Sequence, residues 1–253
     1  MALNRRSFML SAGALGSLGL TGRRVTAPED RLHVKVWFSP GAARHEGLWA
    51  RLSGHLERAF DGAHEDVALE FGGVVDTSSE RAYDLVVGGE WPATLAAGAV
   101  GGPAEPCDDV NLLVTDASMD AFPTGAGVPH VAAVGGAAAM ADLPPVGDLP
   151  SVVERSREAY ALQVLLHECG HALGLEHNHG SMRADDGALV VSPMVSGYPW
   201  ETEEVREDQF DYEKSACGCS YVRPEGRAPR LMLTFDECER EEIGSYRGGV
   251  TSW

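Results

Sequence analysis

The sequence predicts a mixed α/β (α+β) fold, and three observations carry that expectation. A strand-like alternation begins at residue 31, a helical apolar stripe follows it, and a longer helical stretch comes after several further strand-like runs. In Arg31 to Phe38, Arg-Leu-His-Val-Lys-Val-Trp-Phe, polar and apolar residues alternate with the period of a half-buried strand. From Glu46 to Phe60 the apolar residues Leu48, Trp49, Leu52, Leu56, Ala59 and Phe60 fall on one helical face, and Asp61-Gly62 closes the run. Val67 to Val75, Tyr83 to Val87, Val110 to Thr115 and Val128 to Val134 are each bounded by Gly, Pro or Asp and read as strands.

The Gly-, Ala- and Pro-rich stretch Gly135 to Pro150 reads as a loop. Ser151-Val152-Val153-Glu154 has the form of a capping box, which predicts a helix from Val152 to about Leu173. A polar, glycine-containing segment to Val190, a turn around Ser192-Pro193-Met194 and an acidic helical run from Glu201 to about Ser215 complete the order. There is no internal repeat and no long linker, so residues 27–253 are expected to form one domain.

The composition narrows the function. With 44% hydrophobic and 23% charged residues in 253, the chain is neither disordered nor collagen-like. Its 38 acidic and 20 basic side chains give a net charge of −18, which disfavours nucleic acid and anionic membrane surfaces as partners. No run reaches the roughly 20 apolar residues of a membrane span. Lys35 and Lys214 are the only lysines, the other cations being arginines. Dense carboxylates with few lysine stems resemble the composition of extreme halophiles, whose like charges are screened where the Debye length falls to about 3 Å.

Asn4-Arg5-Arg6-Ser7-Phe8-Met9-Leu10, followed by a weakly apolar stretch to Leu20, resembles a twin-arginine export signal. Residues 1–26 are therefore expected to be removed and the mature protein to be secreted. Disulfides persist in that location. Of the five cysteines, Cys169 lies inside the long predicted helix and is the expected unpaired one. Cys107, Cys217, Cys219 and Cys238 allow three pairings, and a metal site at the last three is the alternative, although Cys-x-Cys is not a zinc-finger spacing.

The chemistry is concentrated in His167-Glu168-Cys169-Gly170-His171, continued by Ala172-Leu173-Gly174-Leu175-Glu176-His177. Histidines four residues apart lie about 40° apart around a helix, so both imidazoles can reach one ion. A glycine at position 174 can take positive φ and turn the chain so that His177 returns as a third ligand. Three protein ligands leave a fourth position for water, the pattern of a catalytic zinc ion. Glu168 can reach that water and is the expected general base. Cys169, two residues from each helix histidine, points away toward the core. Nothing else in this chemistry needs a cofactor.

The extended motif, with Val191-Ser192-Pro193-Met194-Val195-Ser196-Gly197-Tyr198 after it, resembles the metzincin clan of zinc metallopeptidases. The resemblance implies a metzincin-like, mostly parallel twisted sheet, a long active-site helix, a methionine turn and a C-terminal helix. It implies one catalytic Zn2+ on His167, His171 and His177, Glu168 as general base, and Met194 as the apolar floor of the site. His130-Val131-Ala132-Ala133-Val134-Gly135-Gly136 resembles the edge strand along which a protein or peptide substrate lies. Tyr198 stands four residues after Met194 rather than two, so it is expected to contact the transition state and not the metal. His179 has the wrong spacing for a ligand, and His33, His45, His55, His64 and His130 are scattered and expected to be structural or exposed. The function implied is a secreted zinc metalloendopeptidase. A zinc aminopeptidase and a non-catalytic zinc-containing binding protein are the alternatives.

Overall fold

The computed structural model describes residues 31–120, 123–209, 211–218 and 221–248. The export segment expected over residues 1–26 and Cys219 lie outside the described residues.

The main sheet is built on β1 (Leu32–Phe38), which pairs in parallel with β2 (Val67–Val74) on one side and β3 (Val110–Val114) on the other. Two short strands, β4 (Gly125–Val128) and β5 (Val131–Val134), extend it to the order β2-β1-β3-β5-β4, with β4 antiparallel to the rest. The alternation in β1 sends Leu32, Val34, Val36 and Phe38 to one face, where they meet the stripe Leu48, Leu52, Leu56 and Phe60 of α1 (Leu48–Phe60). Trp37, Leu113 and Ala133 face the other way, onto Trp91 and Leu85. Helices thus cover both faces of a mostly parallel sheet, the arrangement that such sheets require.

Several expectations are corrected. Tyr83 to Val87 is not a strand but part of α2 (Ala82–Val87). Its apolar residues Ala82, Leu85 and Val86 fall at helical spacing, which buries all three against the tryptophans. α3 (Glu90–Gly98) follows directly. Val128 to Val134 is not one strand, because Pro129 and His130, the latter at φ 67°, turn the chain back between β4 and β5. The strand starting at Val131 is therefore inner, and the edge is β4. Gly135 to Pro150 is not all loop, since its alanine run forms α4 (Ala137–Ala141) and buries Ala137, Ala139 and Met140.

The long helix α5 (Arg157–Ala172) begins later than the Ser151 signal predicts. The β-branched pair Val152-Val153 instead enters β6 (Val152–Glu154), and the Ser151 carbonyl accepts the Leu233 N–H as part of that sheet. Ser156 is the true cap, its hydroxyl accepting the Ala159 N–H at 3.1 Å. The segment after the motif forms a hairpin, β7 (Met182–Asp185) and β8 (Ala188–Val191), turned at Asp186-Gly187 with positive φ at both residues. With β9 (Ala228–Met232) these strands make a second sheet, β6-β9-β8-β7. The acidic run is helical only over α6 (Glu203–Gln209), and α7 (Glu237–Ser245) closes the described chain.

Cys217 and Cys238 are joined, with Cα atoms 6.1 Å apart. Cys107 is a free thiol, against expectation, donating to the backbone carbonyl of Val110 at 3.2 Å. Cys169 is free and buried, as the helix geometry requires. Among the described residues no helix is long and apolar enough to cross a membrane.

Candidate metal centre

α5 is the platform of the site. His167 and His171 project from adjacent turns of its last half, and a glycine ends it where the chain must reverse. Gly174 takes φ 88°, its N–H bonding the His171 carbonyl while the Leu175 N–H bonds the Gly170 carbonyl. That is the paired hydrogen-bond pattern of a Schellman stop, which only a residue free of the Cβ penalty forms readily. The reversal carries His177 into a short turn, His177–His179, beside the two helix histidines.

The three imidazoles converge. His171 Nε2 lies 3.0 Å from His167 Nε2 and 3.1 Å from His177 Nε2. On the opposite ring atoms, His167 Nδ1 bonds the Pro193 carbonyl at 2.9 Å and His171 Nδ1 bonds the Leu175 carbonyl at 2.8 Å. A carbonyl accepts only, so these Nδ1 atoms carry the protons and the facing Nε2 atoms present lone pairs. Lone pairs of neutral rings repel at that distance unless a cation stands between them. Nitrogen ligands about 2.0–2.1 Å from one tetrahedral ion would be separated by only slightly more than this. The donor set, its spacing and the carbonyls that orient its rings fit a metal ion. Among the described residues this is the one such group of three.

Glu168 follows His167 on α5 with 6% of its surface exposed, and burial pushes its carboxyl up to about 8. A cation on the histidines would oppose that shift, because an opposite charge favours the ionised form. The edge strand β4 passes directly over it. A Cβ at Gly125 would stand 2.7 Å from Glu168 Oε1, and one at Gly127 would stand 2.7 Å from His171 Cβ. Two glycines in four residues thus let β4 run against the motif helix.

Met194 is fully buried, its sulfur packed against the backbone at Gly170, one turn of helix between the two ligands. It thus packs against the motif helix within the turn that follows Pro193. The next turn, Tyr198–Trp200, brings the Tyr198 ring to 4.6 Å from that of His177 and 5.7 Å from that of His167. The unusual spacing after Met194 therefore still delivers the phenol to the cluster.

The remaining histidines serve elsewhere. His179 caps its own turn, accepting the Glu176 N–H at 2.9 Å. His45 pairs with Asp116 at 2.8 Å, and buried His55 bonds the Pro144 carbonyl at 3.0 Å. Sequence reasoning missed the Pro193 and Leu175 carbonyls, which carry no residue signature, and the β4 glycines. A glycine at every second position of a short apolar run was the available sign of close backbone approach.

No protein-family model matches the chain, and no curated protein matches it. Among solved structures it is similar to archaemetzincin from Methanopyrus kandleri, at 15% identity over 83% of this chain and 93% of that one, with a TM-score of 0.38. A likeness of that degree assigns neither fold nor activity.

Proposed function

We propose that this protein is a metal-dependent hydrolase, and more specifically a secreted zinc metalloendopeptidase. The observation that carries the reading is the convergence of three imidazole Nε2 atoms, with the buried Glu168 directly following His167 on the same helix. His167, His171 and His177 would hold Zn2+, which when bound supplies Lewis acidity to a peptide carbonyl and makes water more acidic.

Glu168 does the proton work. Its carboxylate takes the proton of the attacking water and delivers it to the amine that leaves. β4 binds the substrate, because the free side of an edge strand offers main-chain donors and acceptors to an extended peptide. Such binding suits cleavage inside a chain and is tolerant of side chains. The Tyr198 hydroxyl donates to the oxygen that gains charge in the transition state. Met194 supports the imidazoles from below, and the Pro193 and Leu175 carbonyls keep two of them in the tautomer that ligates.

Export through the twin-arginine segment and a surface adapted to high salt complete the reading, supported by Arg5-Arg6 and by the charge of −18 with two lysines. The test is cleavage of an N-terminally blocked, quenched fluorescent peptide library by purified protein in high salt, with a chelator and after zinc is restored. Chelator-sensitive internal cleavage is expected. Cleavage confined to unblocked peptides would make it an aminopeptidase, and zinc binding without any cleavage would make it a binding protein.

A further inference from the structure

Glu239 is a fully buried carboxylate that the proposed chemistry does not use. It occupies the first turn of α7, where Oε2 accepts the Asp236 N–H at 2.7 Å and so closes a capping box. Its other oxygen leaves the helix altogether. Oε1 accepts both the Ser192 hydroxyl at 2.6 Å and the Met194 N–H at 2.8 Å.

Those two groups flank Pro193, whose carbonyl orients the His167 ring. Ser192 is held from its other side too, its hydroxyl oxygen accepting the Ser181 N–H at 2.8 Å. We infer that Glu239 is a positioning residue for the metal centre: by gripping Ser192 and Met194 it fixes the carbonyl between them, and through that carbonyl the imidazole of His167.

Burial raises the Glu239 carboxyl to about 7, and among the described residues no basic side chain pairs with it. A buried carboxylate without a cation is unfavourable in a role that only fills space. As an acceptor of three hydrogen bonds from two separate segments it has a role that an apolar side chain lacks. The start of α7 also reaches the third ligand. Cys238, next to Glu239, is bonded to Cys217, and the adjacent Ala216 N–H donates to the Asn178 carbonyl at 2.8 Å, one residue after His177. Tyr221 donates its hydroxyl to the same carbonyl at 3.0 Å. One helix end therefore braces two of the three ligand segments.

The inference rests on the metal-centre reading and not on peptidase activity. Its test titrates cobalt(II), with zinc in competition, into the full metal-free chain and its Glu239→Ala, Glu239→Gln and Ser192→Ala variants, reading the visible cobalt spectrum and the far-ultraviolet circular dichroism. Folded Glu239→Ala is expected to bind cobalt about 10- to 100-fold more weakly, with an altered spectrum. Glu239→Gln, whose amide oxygen still accepts from Ser192 and Met194, is expected to recover most of the affinity. A purely structural role would lower thermal stability and leave the spectrum of the folded molecules unmoved. Folded Glu239→Ala with the affinity and spectrum of the unaltered protein overturns the inference, as does a Glu239→Gln variant no better than Glu239→Ala. If Glu239→Ala does not fold, Ser192→Ala decides: weaker cobalt binding supports the inference and unchanged binding overturns it. An unaltered protein that binds no cobalt would instead remove the metal-centre reading beneath it.

Discussion

The sulfur of Met194 occupies the space that a side chain on Gly170 would need. Gly170 lies in the last turn of α5, where glycine is still worse than alanine by up to about 1 kcal/mol, so its presence reflects this contact and not helix propensity. Gly170→Ala gains that propensity but overpacks the site, at about 1–3 kcal/mol. The net expectation is a loss of up to about 2 kcal/mol in urea unfolding, with weaker metal binding. Combining it with Met194→Ala should cost less than the two single losses together, since the smaller side chain makes room. Strict additivity would place the methionine elsewhere.

Metal removal should lower stability as well as stop activity. A ligand that binds only the folded chain, at about a thousand times its Kd, stabilises by about 4 kcal/mol. Thermal scans with zinc and with a chelator should therefore separate clearly, and His171→Ala should bring the two curves together. Curves that coincide in the unaltered protein would remove the ion from the account.

The link between Cys217 and Cys238 spans 21 residues of sequence. Loop closure of that length contributes about 3 kcal/mol in the chain-entropy treatment. Reduction, or the double replacement by alanine, should lower unfolding stability by about that much and weaken zinc binding through the Asn178 brace. Stability that is unchanged on reduction would show that the strap adds nothing.

Glu239 should make stability depend on pH in a stated direction. Burial raises its carboxyl from an ordinary 4.5 to about 7, so the folded state holds the proton more tightly than the unfolded chain does. The resulting stabilisation is complete below the unfolded value and is lost as pH rises through the folded one. Over that interval it is worth about 3 kcal/mol. Glu239→Gln does not titrate, so the metal-free variant should gain on the unaltered protein by about 3 kcal/mol between about pH 4.5 and pH 8. Parallel stability curves would mean that the carboxyl titrates normally.

The convergence of the three histidines and the turn at Gly174 were legible in the sequence because each follows from local geometry, whereas the place given to Met194 came from the resemblance to the metzincin clan. A helix repeat sets the spacing of His167 and His171, and a positive φ at Gly174 returns His177. β1, β2, β3 and α1 were legible for the same reason, their periodicity being strong. The start of α5 was misread because two capping signals, Ser151 and Ser156, lie five residues apart, and only pairing of Val152 to Glu154 with β9 decides between them. α2 was misread because an apolar run as short as Tyr83 to Val87 suits either structure until its partners, Trp37 and Trp91, are known. The edge position of β4 and the grip of Glu239 on Met194 arise from residues far apart in the chain. No local pattern encodes such contacts.

The central claim is that Glu168 is the base of a reaction run at the three-histidine centre, and Glu168→Gln tests it most directly. The account predicts a folded variant that keeps one zinc per chain and the cobalt spectrum of the unaltered protein, while its cleavage of blocked peptides falls by a factor on the order of 10²–10⁴ or more. A variant that keeps its metal and cleaves at nearly the normal rate would contradict the account.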